Sequence, residues 1–280
     1  MNYETIDFRR EEGYCVVTLN RPDALNAINA KMWSELDDVL NELVNDDHTG
    51  ALVFTGAPRR DGKPCFCAGV DLKEVAQRAT SDTLSFVDKA TPVAALWNQR
   101  LPRLPMASTL ASIAWSPKVS IAAIDGTCTA GGVELALSCD IILVSQTAEI
   151  SDMHVKNLGW IGGGGAATNM AWRVGVAKAM ELCLTGDAID GKEAHRIGLA
   201  NQVFPPDDLL RQAEDLARRI GRIRPAAITM TKAACRAVQD MDRLSSWVYC
   251  DTAFRTLFHE PDAGDWGPGR WMSRRQPNAP

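Results

Sequence analysis

The sequence predicts an α/β fold, and three observations near its start predict it. Tyr14 to Leu19 (YCVVTL) is a β-branched apolar run and reads as a strand. Met32, Trp33, Leu36, Val39, Leu40, Leu43 and Val44 fall on one face at helical spacing. Ala51 to Thr55 (ALVFT) is a second short buried strand, closed by Gly56. Strand, helix, strand is the βαβ rhythm of an α/β fold.

The rhythm recurs. Val119 to Ile124 reads as a buried strand that ends in the turn Asp125–Gly126, and Gly131 to Leu137 suits a helix opening on glycines. Ile141 to Val144 is another strand, and Val176 to Leu184 is a helix that Gly186 ends. After that the character changes. From Pro206 to Ile220, Leu209, Leu210, Ala213, Leu216, Ala217 and Ile220 share one face, with Gly221 as a stop. Helical patterns follow at Pro225 to Gln239 and around Arg243 to Phe258. The expected organisation is an α/β core over residues 1–203 and a helical region over 204–280. Asp61 to Lys63 and the proline-rich stretch Thr91 to Pro117 are expected loops.

Composition narrows the function. Hydrophobic residues make up 46% of the 280 residues and charged residues 23%, enough to bury a large core. The net charge is −5, so nothing drives binding to nucleic acid or anionic lipid. The acidic, polar N-terminus does not resemble a secretory signal. No apolar run is long enough to suggest a membrane span. Cys15, Cys128, Cys139, Cys183 and Cys235 sit inside apolar patterns and read as reduced core residues. Cys65 and Cys67 lack zinc-pair spacing, and the four histidines are scattered. The expectation is a cytoplasmic protein without a metal.

Two segments stand out chemically. In Cys65–Phe66–Cys67–Ala68–Gly69–Val70–Asp71–Leu72–Lys73, small residues lead into an acidic helix start. Asp71 is placed to cap that helix, and free backbone N–H groups before it can face a ligand oxygen. Read alone, the segment is a tight turn with a helix cap. In Asp125 to Leu135 (DGTCTAGGVEL), a buried strand runs through glycines into an apolar helix. Glu134 is the one ionised group between Asp125 and Asp140. A charge in so apolar a run must be paired, exposed in a cleft, or shifted in pKa. A salt bridge across the helix is its structural alternative.

Taken together, about 60 residues apart and in this order, these segments resemble the crotonase (enoyl-CoA hydratase/isomerase) superfamily. The first is similar to that family's A-G-x-D-L element, and DGTCTAGGVELALSCD to its glycine-rich element with E-L-A-L. Asn20–Arg21–Pro22 with Asn26–Ala27–Ile28, and Leu184–Thr185–Gly186 with Ala194 to Leu199, extend the similarity over residues 3–205. The resemblance implies a spiral of ββα units, with C-terminal helices that assemble trimers, often paired into hexamers. It implies an acyl-CoA substrate, with no cofactor beyond the CoA that substrate carries. By position, it implies backbone N–H groups of Val70 and Gly131 as an oxyanion hole. Ala24, Leu25, Ala68, Asp71, Leu72 and Lys73 match CoA-binding positions. Glu134 matches the first of two hydratase glutamates. The second lies 20 residues on, where this chain has His154.

Hydration of a 2-enoyl-CoA is therefore the leading expectation. The histidine keeps open another outcome of the same oxyanion chemistry: isomerisation, hydrolysis, decarboxylation or dehalogenation. A dead CoA-binding or RNA-binding scaffold is a third reading, opposed by the intact Gly131, Gly132 and Glu134 and by the acidic balance. Trp97, Leu101 and Trp160 are expected to wall the acyl pocket. Gly162 to Gly165 read as a close-approach loop over the acyl chain, and His195 as a surface residue.

Overall fold

The computed structural model describes residues 2–76 and 105–273. β1 (Ile6–Glu11) and β2 (Tyr14–Leu19) pair antiparallel, Ile6 opposite Leu19. The sequence pattern does not announce β1, because it is an edge strand with only Ile6 buried and charged residues along its open side. Asn29 accepts a hydrogen bond from Met32 N at 2.9 Å and so starts α1 (Ala30–Val44), which buries Met32, Trp33, Leu36, Val39, Leu40 and Leu43.

From β3 (Ala51–Gly56) onward the chain winds in repeated turns. Each turn lays a long strand in one sheet, a short strand in another, and returns through helix. β3 is followed by β4 (Cys65–Cys67) and, later, α2 (Pro105–Trp115). β5 (Val119–Ile124) is followed by β6 (Thr127–Thr129) and α3 (Gly131–Ser138). β7 (Ile141–Ser145) is followed by β8 (Glu149–Ser151), a π-helical turn (His154–Leu158), α4 (Ala166–Val174) and α5 (Val176–Thr185). β9 (Ile189–Asp190), α6 (Gly191–Arg196) and β10 (Gln202–Phe204) complete the body. The large sheet has the order β1-β2-β3-β5-β7-β10, parallel from β2 on, and the small sheet the order β4-β6-β8-β9. This is the spiral of ββα units.

The long strands read as continuous apolar runs because both faces are covered. Cys15, Val17, Leu52, Phe54, Ala122, Ile124, Ile142 and Val144 face the main core. The alternate residues Tyr14, Val16, Ala51, Val53, Ile121, Ala123 and Leu143 face a second core. That core is closed by Leu209, Ala213 and Ala217 of α7 (Pro206–Gly221). A helical region drawn from residue 204 thus begins inside β10, and its first helix lies on the sheet. Beyond it come α8 (Pro225–Ala237), α9 (Arg243–Thr256) and α10 (Pro268–Ser273). Lys232 and Arg236 of α8 each pair with Asp140 at 2.7 Å, which ties the tail to the end of α3.

Several expectations are corrected. The proline-rich stretch is not all loop. Its residues Pro105–Trp115 are helical. Gly221 lies in the last turn of α7 rather than beyond it, and α8 and α9 stop two residues short of their expected ends. Cys235 is exposed on α8, not core. Among the described residues, no helix is long and apolar enough to cross a membrane.

Candidate active site

Residues 68–71 cross under residues 25–28. Ala68 N donates to Leu25 O at 3.0 Å, Ile28 N to Gly69 O at 2.7 Å, and Asp71 N to Ile28 O at 2.9 Å. In this bridge the bonds on either side of Val70 run to Ile28, so the N–H of Val70 itself points the other way. It points toward the start of α3. A methyl built on Gly131 would stand 3.1 Å from Val70 N, and one on Gly69 would stand 3.1 Å from Gly131 N. Two backbone donors from distant segments are thereby brought side by side, and neither N–H donates within the described residues.

Ala130 produces this juxtaposition. It holds φ 48° and ψ −115°, a conformation that costs an L-residue roughly 1–3 kcal/mol. The turn swings the chain from β6 into α3 and leaves Gly131 N free at the helix N-terminus, where a developing negative charge is favoured. Gly132 lets α3 seat against β4, because a Cβ there would collide with Cys67 O.

The rim of this site holds the matched CoA-binding positions. Ala24 and Leu25 form a tight turn with Leu25 in the left-handed region, pinned by the buried Asn26 side chain, which donates to Ala57 O and Cys65 O. Asp71 caps the helical residues 72–76 through Lys73 N at 3.1 Å and forms a 2.9 Å ion pair with Arg21. Leu72 and Lys73 are exposed.

One helical turn past Gly131, Glu134 is fully buried. It makes no salt bridge along its helix. Its Oε1 accepts from Gly164 N at 2.7 Å, and its Oε2 is buried with no hydrogen-bond partner. Burial pushes its carboxyl above the ordinary range; His154 and the N–H groups of Gly164 and Ala166 pull the other way without cancelling it.

His154 begins the π-helical turn and places Nε2 3.8 Å from Glu134 Oε2. Its Nδ1 lies 2.6 Å from Asp152 Oδ1. That hydrogen bond, aided by Glu134, raises the imidazole above its usual pKa against the effect of burial. The turn His154–Leu158 is π-helical, and such turns recur at functional sites.

The glycine loop lies on these two side chains. A Cβ on Gly162 would meet Glu134 Oε1 at 2.6 Å and His154 Nδ1 at 2.9 Å. One on Gly164 would meet Leu110 at 2.5 Å and Glu134 Oε2 at 2.9 Å. The donor Gly164 N escaped sequence reasoning, since a backbone amide 30 residues from its carboxylate leaves only the glycine run as a signal. Trp160 is 61% exposed on the same loop, and Trp97 and Leu101 lie outside the described residues. His195 is exposed on α6. A cavity of about 520 Å³ opens elsewhere, between α4, α7 and α8, and contains none of these residues.

A spiral of ββα turns here apposes two free backbone N–H groups near a buried carboxyl and a part-buried imidazole, an arrangement suited to oxyanion chemistry. The sequence model described as enoyl-CoA hydratase/isomerase matches residues 9–278, and the chain belongs to that family. A probable enoyl-CoA hydratase of Mycobacterium tuberculosis (strain CDC 1551 / Oshkosh) is 32% identical over 277 residues, covering 99% of this chain and 98% of the relative. The short-chain-enoyl-CoA hydratase of Clostridium acetobutylicum is 32% identical, covering 95% of this chain and 94% of the relative. The crystal structure of an enoyl-CoA hydratase from Bacillus anthracis superposes with a TM-score of 0.83 at 25% identity, covering 98% of each chain.

Proposed function

We propose that this enzyme adds water across the double bond of a 2-enoyl-CoA. The observation that carries the reading is the convergence of Glu134 and His154 within 3.8 Å, one helical turn from the Gly131 donor. The Val70 and Gly131 N–H groups hold the thioester oxygen as negative charge develops on it. Glu134, as carboxylate, takes a proton from water while the water oxygen bonds to C3. His154, as imidazolium, gives a proton to C2 as the enolate collapses to the 3-hydroxyacyl-CoA. Ala24, Leu25, Ala68, Leu72 and Lys73 line the path of the CoA, with Lys73 placed for a phosphate. Asp71 shapes that rim through Arg21. Trp160 flanks the acyl end. No metal or organic cofactor enters these steps, and the CoA arrives with the substrate.

The test is incubation of the purified chain with 2-enoyl-CoA thioesters from short to long, with products read by mass. A product heavier by one water, lost about 100- to 10,000-fold in Glu134→Gln, supports the reading. Binding of acyl-CoA without water addition sinks it, and moves the search to the hydrolase, isomerase, decarboxylase and dehalogenase outcomes that the same donors serve.

The enzyme is further proposed to act in the cytoplasm as a trimer or a pair of trimers. Supporting this is the exposed apolar surface of the tail, where Leu244, Trp247, Val248, Phe254 and Phe258 are each more than half exposed.

A further inference from the structure

We propose that Asp152 is a positioning residue that locks the His154 ring in one orientation and keeps it charged, so that its free nitrogen delivers a proton beside Glu134. The inference rests on the reading of His154 as the acid.

Asp152 is only 3% exposed. A buried carboxylate is costly unless it is paired and hydrogen-bonded. Among the described residues its one ion-pair partner is His154, and no lysine or arginine reaches it. Its Oδ1 takes both His154 Nδ1 at 2.6 Å and His154 N at 3.2 Å. Burial raises the carboxyl, and the two His154 bonds with the charge of His154 outweigh it and hold it below its ordinary pKa. The charge balance of this buried pocket therefore calls for an imidazolium at His154.

The ring cannot turn over without losing that bond, since the turn would put a ring carbon against Asp152 Oδ1, and its backbone is fixed as well. His154 O accepts from Gly159 N, and Trp160 N approaches it at 3.5 Å. With Nδ1 committed, Nε2 faces Glu134 Oε2. Glu134 is fixed in the same manner, with Oε1 committed to Gly164 N and Oε2 unpartnered. Each side chain thus has one tethered atom and one free atom, and the two free atoms face each other. At 3.8 Å they are too far apart to quench each other in a hydrogen bond. The groups that face the ring are Glu134 from α3 and Asp152 at the end of β8. Lys156 of the same turn is directed to Asp187, at 3.6 Å.

The experiment uses the full chain as wild type, Asp152→Asn and Asp152→Glu. Three quantities are read: the titration of the His154 ring by ¹⁵N NMR, assigned with His154→Gln; the affinity for butyryl-CoA, which cannot be hydrated; and the pH profile of kcat on the best 2-enoyl-CoA. Asp152→Asn should lower the ring's titration midpoint by about one pH unit or more. It should move the alkaline limb of kcat down with that midpoint, and cut kcat about 10- to 100-fold, less than the roughly 100- to 10,000-fold of losing a positioned acid outright. Butyryl-CoA affinity should stay within about twofold, as expected when ground-state binding is untouched. Asp152→Glu should restore part of the midpoint.

An unchanged midpoint in Asp152→Asn overturns the proposal, as does a kcat loss matched by an equal loss of butyryl-CoA affinity. The NMR titration needs no turnover, so it still decides the Asp152–His154 link if the chain hydrates nothing. If Asp152→Asn does not fold, the wild-type titration decides: a midpoint at or below that of an exposed histidine, about 6.5, overturns the proposal.

Discussion

Glu134 shows how one residue's surroundings set its chemistry. In water it would be an ordinary carboxylate; here burial raises its pKa and the N–H of Gly164 holds one oxygen. It must be ionised to act as a base, so the rate should rise with pH through a value above the usual carboxylate range. His154 must be protonated to act as an acid, so the rate should fall with pH through a value above the usual imidazole range. The expected profile of kcat/KM is a bell whose two limbs both lie high for their residue types. An acidic limb at the pKa of a free glutamate, about 4.3, would contradict the burial argument.

The glycine loop supplies a second prediction at this scale. Gly164→Ala puts a methyl 2.9 Å from Glu134 Oε2 and 2.5 Å from Leu110, while the chain around it remains a surface loop. Glu134 must shift, and displacement of about 1 Å at a catalytic group costs on the order of 100-fold. We expect kcat to fall by that order with acyl-CoA affinity retained. A variant with wild-type kcat would show that the loop gives way instead.

Among the elements, α7 is the most instructive. The sequence places it in the helical tail, and its apolar face is plain from spacing alone. What that face meets is the outer side of the large sheet, where small residues allow close approach: Ala213 and Ala217 are fully buried against the strands. Overpacking there is the sharpest test of the arrangement. Ala217→Leu should destabilise the fold by about 1–3 kcal/mol. Leu210→Ala, at a position 40% exposed on the same helix, should cost under about 0.5 kcal/mol. Denaturant unfolding of the two variants separates these outcomes.

At the scale of the whole molecule, the tail is anchored at its root and open at its end. Asp140 takes both Lys232 and Arg236, while α9 presents Trp247, Val248 and Phe254 outward. In the proposed assembly another chain covers this exposed apolar area. Light scattering is expected to give three or six times the 30.5 kDa of one chain. Trp247→Glu, 70% exposed in the single chain, should lower that mass without unfolding the body. A wild-type mass of one chain would refute the assembly.

By itself the sequence determined the elements whose signal is local: β2, α1, β3, β5, α3 and β7, each with apolar residues at the period of its own backbone. It also marked the segment before Lys73 and the glycine-to-Glu134 segment as suited to chemistry, because glycines before a helix and a lone charge in an apolar run stand out in one dimension, while Val70, Gly131 and His154 were singled out by the family resemblance. Tertiary structure alone decided what those residues touch. The short strands β4, β6 and β8 exist because neighbouring turns of the spiral pair them, and three residues are too few to carry a period. The bond from Gly164 to Glu134, the facing of His154 and Glu134, and the seat of Asp152 behind the imidazole join segments far apart in the chain or bent by a π-turn. Their strength comes from burial, and burial is a property of the folded molecule, which no single segment possesses.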